Sequence, residues 1–293
     1  MSRLSPNALA LLAALTLVWG TNWPMFRIAL SEIPVLTFRT VVLAVATLVL
    51  FTILKLRGER FVVPAGKWPA LIGASLMNIG VWNIATSLAV LYIPSGHASV
   101  LAYTMPLWVA VIGFAVFRQR LSSRLLAALA IGAGAVAALM IPNFASYANA
   151  PAGLFWGLLA GLCWAIGTFI VKRTSWPGMG ISLTFWQVFI CLPPIALGAL
   201  IFDGLPTHWP SAGAIAATLY SGAIPMALGT AAWFALVKLL PAQVAALSSI
   251  AIPIVAIASG ILLLDEPLSA LQAAAIASTV VSLWLALMPS RQS

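Results

Sequence analysis

The chain has 293 residues, of which 63% are hydrophobic and only 6% charged, whereas soluble domains carry roughly a quarter charged residues. That balance excludes a water-soluble enzyme or regulator and describes an integral membrane protein. The formal charge of +9 comes from basic residues scattered between apolar runs, with no basic arm or stripe, so nucleic acid is not expected as a partner.

A hydrocarbon core of ~30 Å needs ~20 helical residues. Charges, prolines and polar clusters cut the chain into ten such runs, at 8–29, 34–56, 68–91, 96–117, 122–141, 152–173, 180–202, 212–236, 242–264 and 268–288. The expected fold is an all-α polytopic membrane protein with ten transmembrane helices, short loops and no soluble domain. Arg3 precedes the first run, as in a signal peptide. The run is too long for the apolar part of one and matches a segment in mid-chain, so a retained helix is expected.

Polar and aromatic residues interrupt several runs near their middles. In the first, residues 17–24 read LVWGTNWP; Trp19, Asn22 and Trp23 stand at i, i+3 and i+4 and share a helix face, while Pro24 should loosen the end. Arg39 lies about one turn into the second run, close enough to an end to snorkel outward. In the third, Asn78 and Trp82 share a face, with Asn83 and Thr86 alongside. In the fourth, Pro106 cannot donate to the Ala102 carbonyl, so a kink is expected beside Tyr103. The sixth carries Gly153-x-x-x-Gly157-x-x-x-Gly161, a close-packing stripe, then Trp164 and Thr168 on one face. In the ninth, Ser248 and Ser249 precede Pro253, which frees the Ser249 carbonyl. Unpaired polar groups cost several kcal/mol in lipid, so these amide, hydroxyl and indole groups should point inward. Cys163 and Cys191 sit inside apolar runs and read as small core residues.

Lysine and arginine in short loops set orientation. A cytoplasmic N-terminus puts Arg3, Lys55, Arg57, Arg60, Lys67, Arg118, Arg120, Arg124, Lys172, Arg173, Lys238 and Arg291 inside, and leaves only Arg27 and Arg39 over. The same choice puts Glu32, Asp203, Asp265 and Glu266 outside. With ten spans, both termini are then cytoplasmic.

Residues 94–140 align without a gap to 241–287 at a constant offset of 147. Pro94 meets Pro241, Pro106 meets Pro253, Gly113 meets Gly260, and Leu121-Ser122 meets Leu268-Ser269. At an offset of 145, Trp19 falls on Trp164. The expected halves are 1–147 and 148–293, each with five helices. Five is odd, so the halves enter the membrane from opposite sides as an inverted repeat. Arg118-Gln119-Arg120 in one half faces Asp265-Glu266-Pro267 in the other, the charge reversal that opposite faces require.

Two inverted sets of five helices, a tryptophan in the first helix of each, and paired prolines twelve residues apart followed by Asp-Glu-Pro-Leu-Ser resemble the EamA-type branch of the drug/metabolite transporter superfamily. The resemblance spans essentially the whole chain. It departs from the family at Arg118 and Arg120, where an acidic residue often precedes Leu-Ser. The Trp-rich wall is similar to bacterial exporters of aromatic and other amino acids. Export, and a multi-pass place in a bacterial inner membrane, are what the resemblance implies.

The residues themselves point to a midplane cavity lined by Trp19, Asn22, Asn78, Trp82, Tyr103, Trp164, Thr168, Ser248 and Ser249, with Pro24, Pro106 and Pro253 as kinks or gates. Trp68, Trp176 and Trp209 lie at helix ends, where interfacial tryptophans belong; Trp19 and Trp164 are too deep for that. Aromatic faces stack on rings and attract ammonium groups, and Asn and Ser can bind an amine or carboxylate, so a small zwitterion, with or without an aromatic side chain, suits the lining. An exporter of aromatic or cationic drugs, a channel-like pore and a membrane scaffold are the alternatives. None of the five acidic residues reaches the midplane, so no dedicated proton relay is expected. Both histidines, His97 and His208, fall outside the midplane and no H-E-x-x-H occurs, so an enzyme, a metal and a cofactor are not expected.

Overall fold

The computed structural model describes residues 6–118, 151–204, 208–239 and 252–265, together with single helical residues within 123–134 and 273–278. Eight helices of this region are labelled α1 (Pro6–Leu30), α2 (Val35–Arg57), α3 (Trp68–Tyr92), α4 (Ser95–Ala115), α5 (Pro151–Arg173), α6 (Ser182–Asp203), α7 (Ala212–Leu239) and α8 (Ile252–Leu264). They follow the predicted runs to within a few residues. The runs 122–141 and 268–288, and the start of 242–264, lie largely outside the described residues. Six helices, α2 to α7, are long and apolar enough to cross a membrane. No strand occurs among the described residues.

Local sequence explains where the helices stop. Pro34 sits in an extended conformation ahead of α2 (φ −58°, ψ 152°), and Gly58 closes that helix in the left-handed region (φ 63°) with its N–H on Lys55 O. Glu59 N–H reaches Leu54 O, completing a Schellman cap that satisfies the last carbonyls. Ser211 caps α7, its hydroxyl accepting from Ala214 N–H.

Three helices change pitch within the span. α3 widens into a π-helical segment at Leu76–Val81, α6 does so at Ala199–Asp203, and α7 at Gly222–Gly229 around Pro225. A π turn absorbs an extra residue and rotates everything beyond it. α4 is broken at Tyr103–Thr104, two residues before Pro106. Thr104 N–H turns back tightly to Leu101 O there. Pro24, by contrast, lies inside an uninterrupted α1, so the loosening expected at that position is absent. Pro253 is the second residue of α8, and the chain before Ile252 lies outside the described residues.

The pattern of burial is that of a protein dissolved in lipid. Leu48, Leu56, Phe114, Leu200, Phe202 and Leu262 are exposed, while Arg39, Asn78, Asn83, Thr86 and Gln187 are buried. Apolar exterior and polar interior are what a solvent without hydrogen bonds selects. α1 packs chiefly on α8, α3 on α5, and α2 on α6 and the π segment of α7. The glycine stripe of α5 faces α4: a Cβ on Gly153 would meet Ile93, one on Gly157 would meet Leu101, and one on Gly161 would lie 2.9 Å from Ala102 O. The carbonyl that Pro106 frees is therefore buried against bare glycine backbone.

Candidate functional site

A small cavity opens among α1, α2, α3, α5, α7 and the break in α4. α1 contributes Trp19, Asn22, Trp23 and Phe26, and α3 contributes Trp82 and Asn83. Tyr103 comes from the α4 break and Trp164 from α5. Arg39 and Val42 line it from α2, and Ser221, Pro225, Met226 and Thr230 from the π segment of α7 and its flanks.

Its wall is a connected set of rings. Trp19 meets Trp164 edge-on with centroids 5.7 Å apart, and Trp164 meets Trp82 at 4.7 Å. Tyr103 bridges Trp82 (6.0 Å) and Trp23 (6.2 Å). Trp233 packs behind Trp19 at 5.5 Å and Phe234 lies parallel to Trp164 at 6.4 Å. These separations are those of favourable aromatic pairs, so the wall is held by its own members. Trp19 is fixed further by a hydrogen bond from Nε1 to Pro225 O, 3.1 Å long. Gly229 makes room for it: a Cβ there would fall 2.6 Å from Trp19 Nε1.

Polar groups in and beside the cavity join α1 and α3 to their neighbours. Ser221 Oγ donates to Asn22 Oδ1 at 2.7 Å, and the hydroxyls of Thr21 and Tyr220 pair at 2.7 Å. Arg39 does not snorkel. It is 1% exposed, with Nε donating to Ser87 Oγ (2.6 Å), Nη1 to Asn83 Oδ1 (2.9 Å) and Nη2 to Thr86 Oγ1 (2.9 Å). Its guanidinium carbon lies 4.1 Å from the Phe26 ring centroid and 4.9 Å from that of Phe38. In the turn of helix that separates Arg39 from the end of α2, Phe38 is buried against Phe26 of α1 at 5.7 Å and Thr37 is held by Asp203 of α6, while the polar face of α3 offers oxygens to the guanidinium. Arg27 stays near a helix end and donates to Val90 O at 2.9 Å.

Of the predicted site residues, the cavity gathers Trp19, Asn22, Trp82, Tyr103 and Trp164. Asn78 and Thr168 are buried outside its lining. Asn78 donates to Gln187 Oε1 at 3.3 Å and packs on Gly167. Asn78 and Trp82 both face α5, Asn78 at Gly167 and Trp82 at Trp164, but of the two it is Trp82 that reaches the cavity. Ser248 and Ser249 lie outside the described residues. Phe26, Met226 and Thr230 gave no local signal. Arg39 did: it was a basic residue on the side that the charge rule empties, with Asn83, Thr86 and Ser87 on the next run.

Carboxylates sit at the helix ends. On the membrane face that carries the 31–34 turn, Glu32 accepts from both Oγ and N–H of Ser211 at 2.6 Å, and Asp203 accepts from N–H (2.6 Å) and Oγ1 (2.9 Å) of Thr37. The Ser211 hydroxyl and then its N–H hold the Glu32 carboxyl below the usual range. On the opposite face Glu59 accepts from Ile181 N–H at 3.2 Å, and Lys172 donates to Val237 O at 2.8 Å. Trp186 Nε1 donates to Phe61 O there at 2.7 Å.

The chain is similar to bacterial transporters along most of its length. It is 25% identical to the "Uncharacterized transporter YvbV" of Bacillus subtilis, covering 88% of this chain and 84% of that one. It is 26% identical to the "Probable amino-acid metabolite efflux pump" of Escherichia coli, over 93% and 91% of the two chains. A solved structure at 18% identity superposes over 97% of both chains with a TM-score of 0.74, a likeness of fold. The sequence profile of the EamA-like transporter family matches residues 6–141 and again 151–288. An all-helical body with lipid-facing apolar side chains, an aromatic cavity at its centre and this match over nearly its full length together make the chain a membrane transporter of the EamA-like transporter family.

Proposed function

We propose that the chain is an inner-membrane carrier exporting small organic metabolites, chiefly amino acids including aromatic ones. In this reading two inverted five-helix halves, 1–147 and 148–293, alternate access to the aromatic cavity, both termini are cytoplasmic, and no dedicated proton relay operates.

The observation that carries the reading is the Trp19–Trp164 contact in the cavity wall. Equivalent residues of two repeats touch only near the axis that relates them, and substrate sites of inverted-repeat transporters lie at that interface. Three further features support the repeat. The π segments Leu76–Val81 and Gly222–Gly229 fall at matching positions under the 147-residue offset. Arg118 (φ 50°) and Asp265 (φ 52°), non-glycine residues in the left-handed region, are 147 apart. The family profile matches each half in turn. Contacts such as Glu32–Ser211 on one face and Glu59–Ile181 on the other join the halves, and alternating access requires such contacts to open one face at a time.

The amino-acid reading draws on the name of the Escherichia coli relative and on the lining. Trp82, Trp164 and Tyr103 offer stacking to a ring, while Asn22 and Ser221 offer hydrogen bonds to an ammonium or carboxylate. Glu32, Glu59 and Asp203 are occupied at helix ends, which supports movement down the substrate gradient or by exchange.

Counterflow of a panel of amino acids and aromatic amines into liposomes tests the proposal. Saturable counterflow of amino acids is expected, with strong loss in Trp164→Ala. Normal transport by that variant refutes the site, an uptake that needs an imposed pH or sodium gradient refutes the uncoupled mode, and ohmic current marks a pore.

A further inference from the structure

Arg39 is a full positive charge buried in a lipid-soluble body, and its protein partners are all neutral. Three of its five N–H groups are used by Ser87, Asn83 and Thr86, which leaves one on each terminal nitrogen. Among the described residues no carboxylate pairs with it: Glu32, Glu59 and Asp203 are held elsewhere, and the ion pair found joins Arg57 to Glu59 at 3.6 Å. An uncompensated ion away from water costs several kcal/mol, and hydroxyl and amide oxygens recover only part of that. A charge kept at such expense inside a transport cavity marks a place where an anion arrives.

The geometry fits a single planar anion. Arg39 lines the same cavity as Trp82, Trp164 and Tyr103. The contacts with Asn83, Thr86 and Ser87 fix the guanidinium plane, and Phe26 lies 4.1 Å from it on one side. A fixed guanidinium presenting two N–H groups matches a carboxylate, where a lysine would supply only a point charge. The adjoining ring wall would take the apolar part of the same molecule.

We propose that Arg39 is the specificity-determining residue that receives the α-carboxylate of the transported solute, so that a free carboxylate is required and a bare aromatic amine is rejected. This assignment rests on the amino-acid carrier reading above and narrows it to carboxylate-bearing solutes.

Binding to the purified full chain in detergent, read by quenching of the cavity tryptophans, separates the possibilities. Three probes share one ring: L-phenylalanine, 3-phenylpropionate (carboxylate without amine) and phenethylamine (amine without carboxylate). The wild type should bind the two carboxylates about tenfold or more tighter than the amine, the worth of a lost charge-assisted contact. Arg39→Gln should weaken both carboxylates by a similar factor and leave phenethylamine little changed, while Arg39→Lys recovers part of the loss. Equal binding of phenethylamine and phenylalanine by the wild type overturns the assignment and leaves an aromatic cavity intact. Equal weakening of all three probes by Arg39→Gln also overturns it, since that is the signature of a purely structural arginine. Should Arg39→Gln fail to fold, the wild-type preference alone decides. Absence of binding by all three probes refutes the amino-acid reading itself, and this assignment with it.

Discussion

Gly229→Ala is a one-methyl test of whether the aromatic wall is as tightly built as its distances imply. The new Cβ would stand 2.6 Å from Trp19 Nε1 and 3.1 Å from Trp19 Cδ1, against an ordinary contact of roughly 3.5 Å or more. The indole would have to retreat by about 1 Å, yet Trp164 and Trp233 sit 5.7 and 5.5 Å from it, and its Nε1 bond to Pro225 O would stretch from 3.1 Å. Overpacking of this kind costs roughly 1–3 kcal/mol. Alanine returns about 1 kcal/mol of helix propensity over glycine. The clash wins by about 1 kcal/mol, so the variant should fold with a modestly lower melting temperature in detergent. Transport should suffer more, about tenfold or beyond, because a displacement near 1 Å at a binding wall is enough to spoil it. Trp19→Phe removes the atom that is struck, so the double variant should recover stability relative to the sum of the singles, a coupling measurable in a double-mutant cycle. An unchanged melting temperature and counterflow rate for Gly229→Ala, or strict additivity with Trp19→Phe, would show that the packing argument is wrong.

Other expectations follow from the same contacts. Gly161→Val should lower stability by about 1–3 kcal/mol, because its Cβ would press on the Ala102 carbonyl at 2.9 Å and backbone cannot step aside; thermal melting in detergent checks it, and an unchanged melt argues against the α4–α5 contact. Trp164→Phe should keep much of the transport that Trp164→Ala loses, since a smaller ring can still meet Trp82; equal loss in both would mean that shape alone matters. Glu32 has its carboxyl held low in the folded chain by Ser211, so its contribution is fully present above the unfolded value and disappears as pH falls through the lowered folded one. The stability gap between wild type and Glu32→Gln should therefore be present at neutral pH and close in acid, and a gap independent of pH would refute a stabilising Glu32–Ser211 contact.

The parts of the fold that depend on solvent alone were legible in the sequence. Lipid demands ~20 apolar helical residues per crossing, which is why the runs at 34–56, 68–91 and 152–173 correspond closely to Val35–Arg57, Trp68–Tyr92 and Pro151–Arg173. Trp19 and Trp164 were legible as a pair because the chain carries matching segments, and both line the cavity. The break beside Tyr103 was legible because Pro106 lacks an N–H.

What tertiary structure decided was direction. Asn78 and Trp82 both lie against α5, as helical periodicity predicts, but the cavity lining includes Trp82 and leaves Asn78 on Gln187 and Gly167. Distance from a helix end suggested that Arg39 could reach the surface; packing of α1 and α3 around it, and the oxygens of Asn83, Thr86 and Ser87, drew it inward. Residues such as Phe26, Met226 and Thr230 came to line the cavity only when α1 met α7. Sequence alone determined that this chain dissolves in a bilayer and where its described helices run, because those follow from each residue's own affinity for lipid. Which side chains share a cavity depends on helix rotation and contact between distant segments, and those are properties of the packed whole.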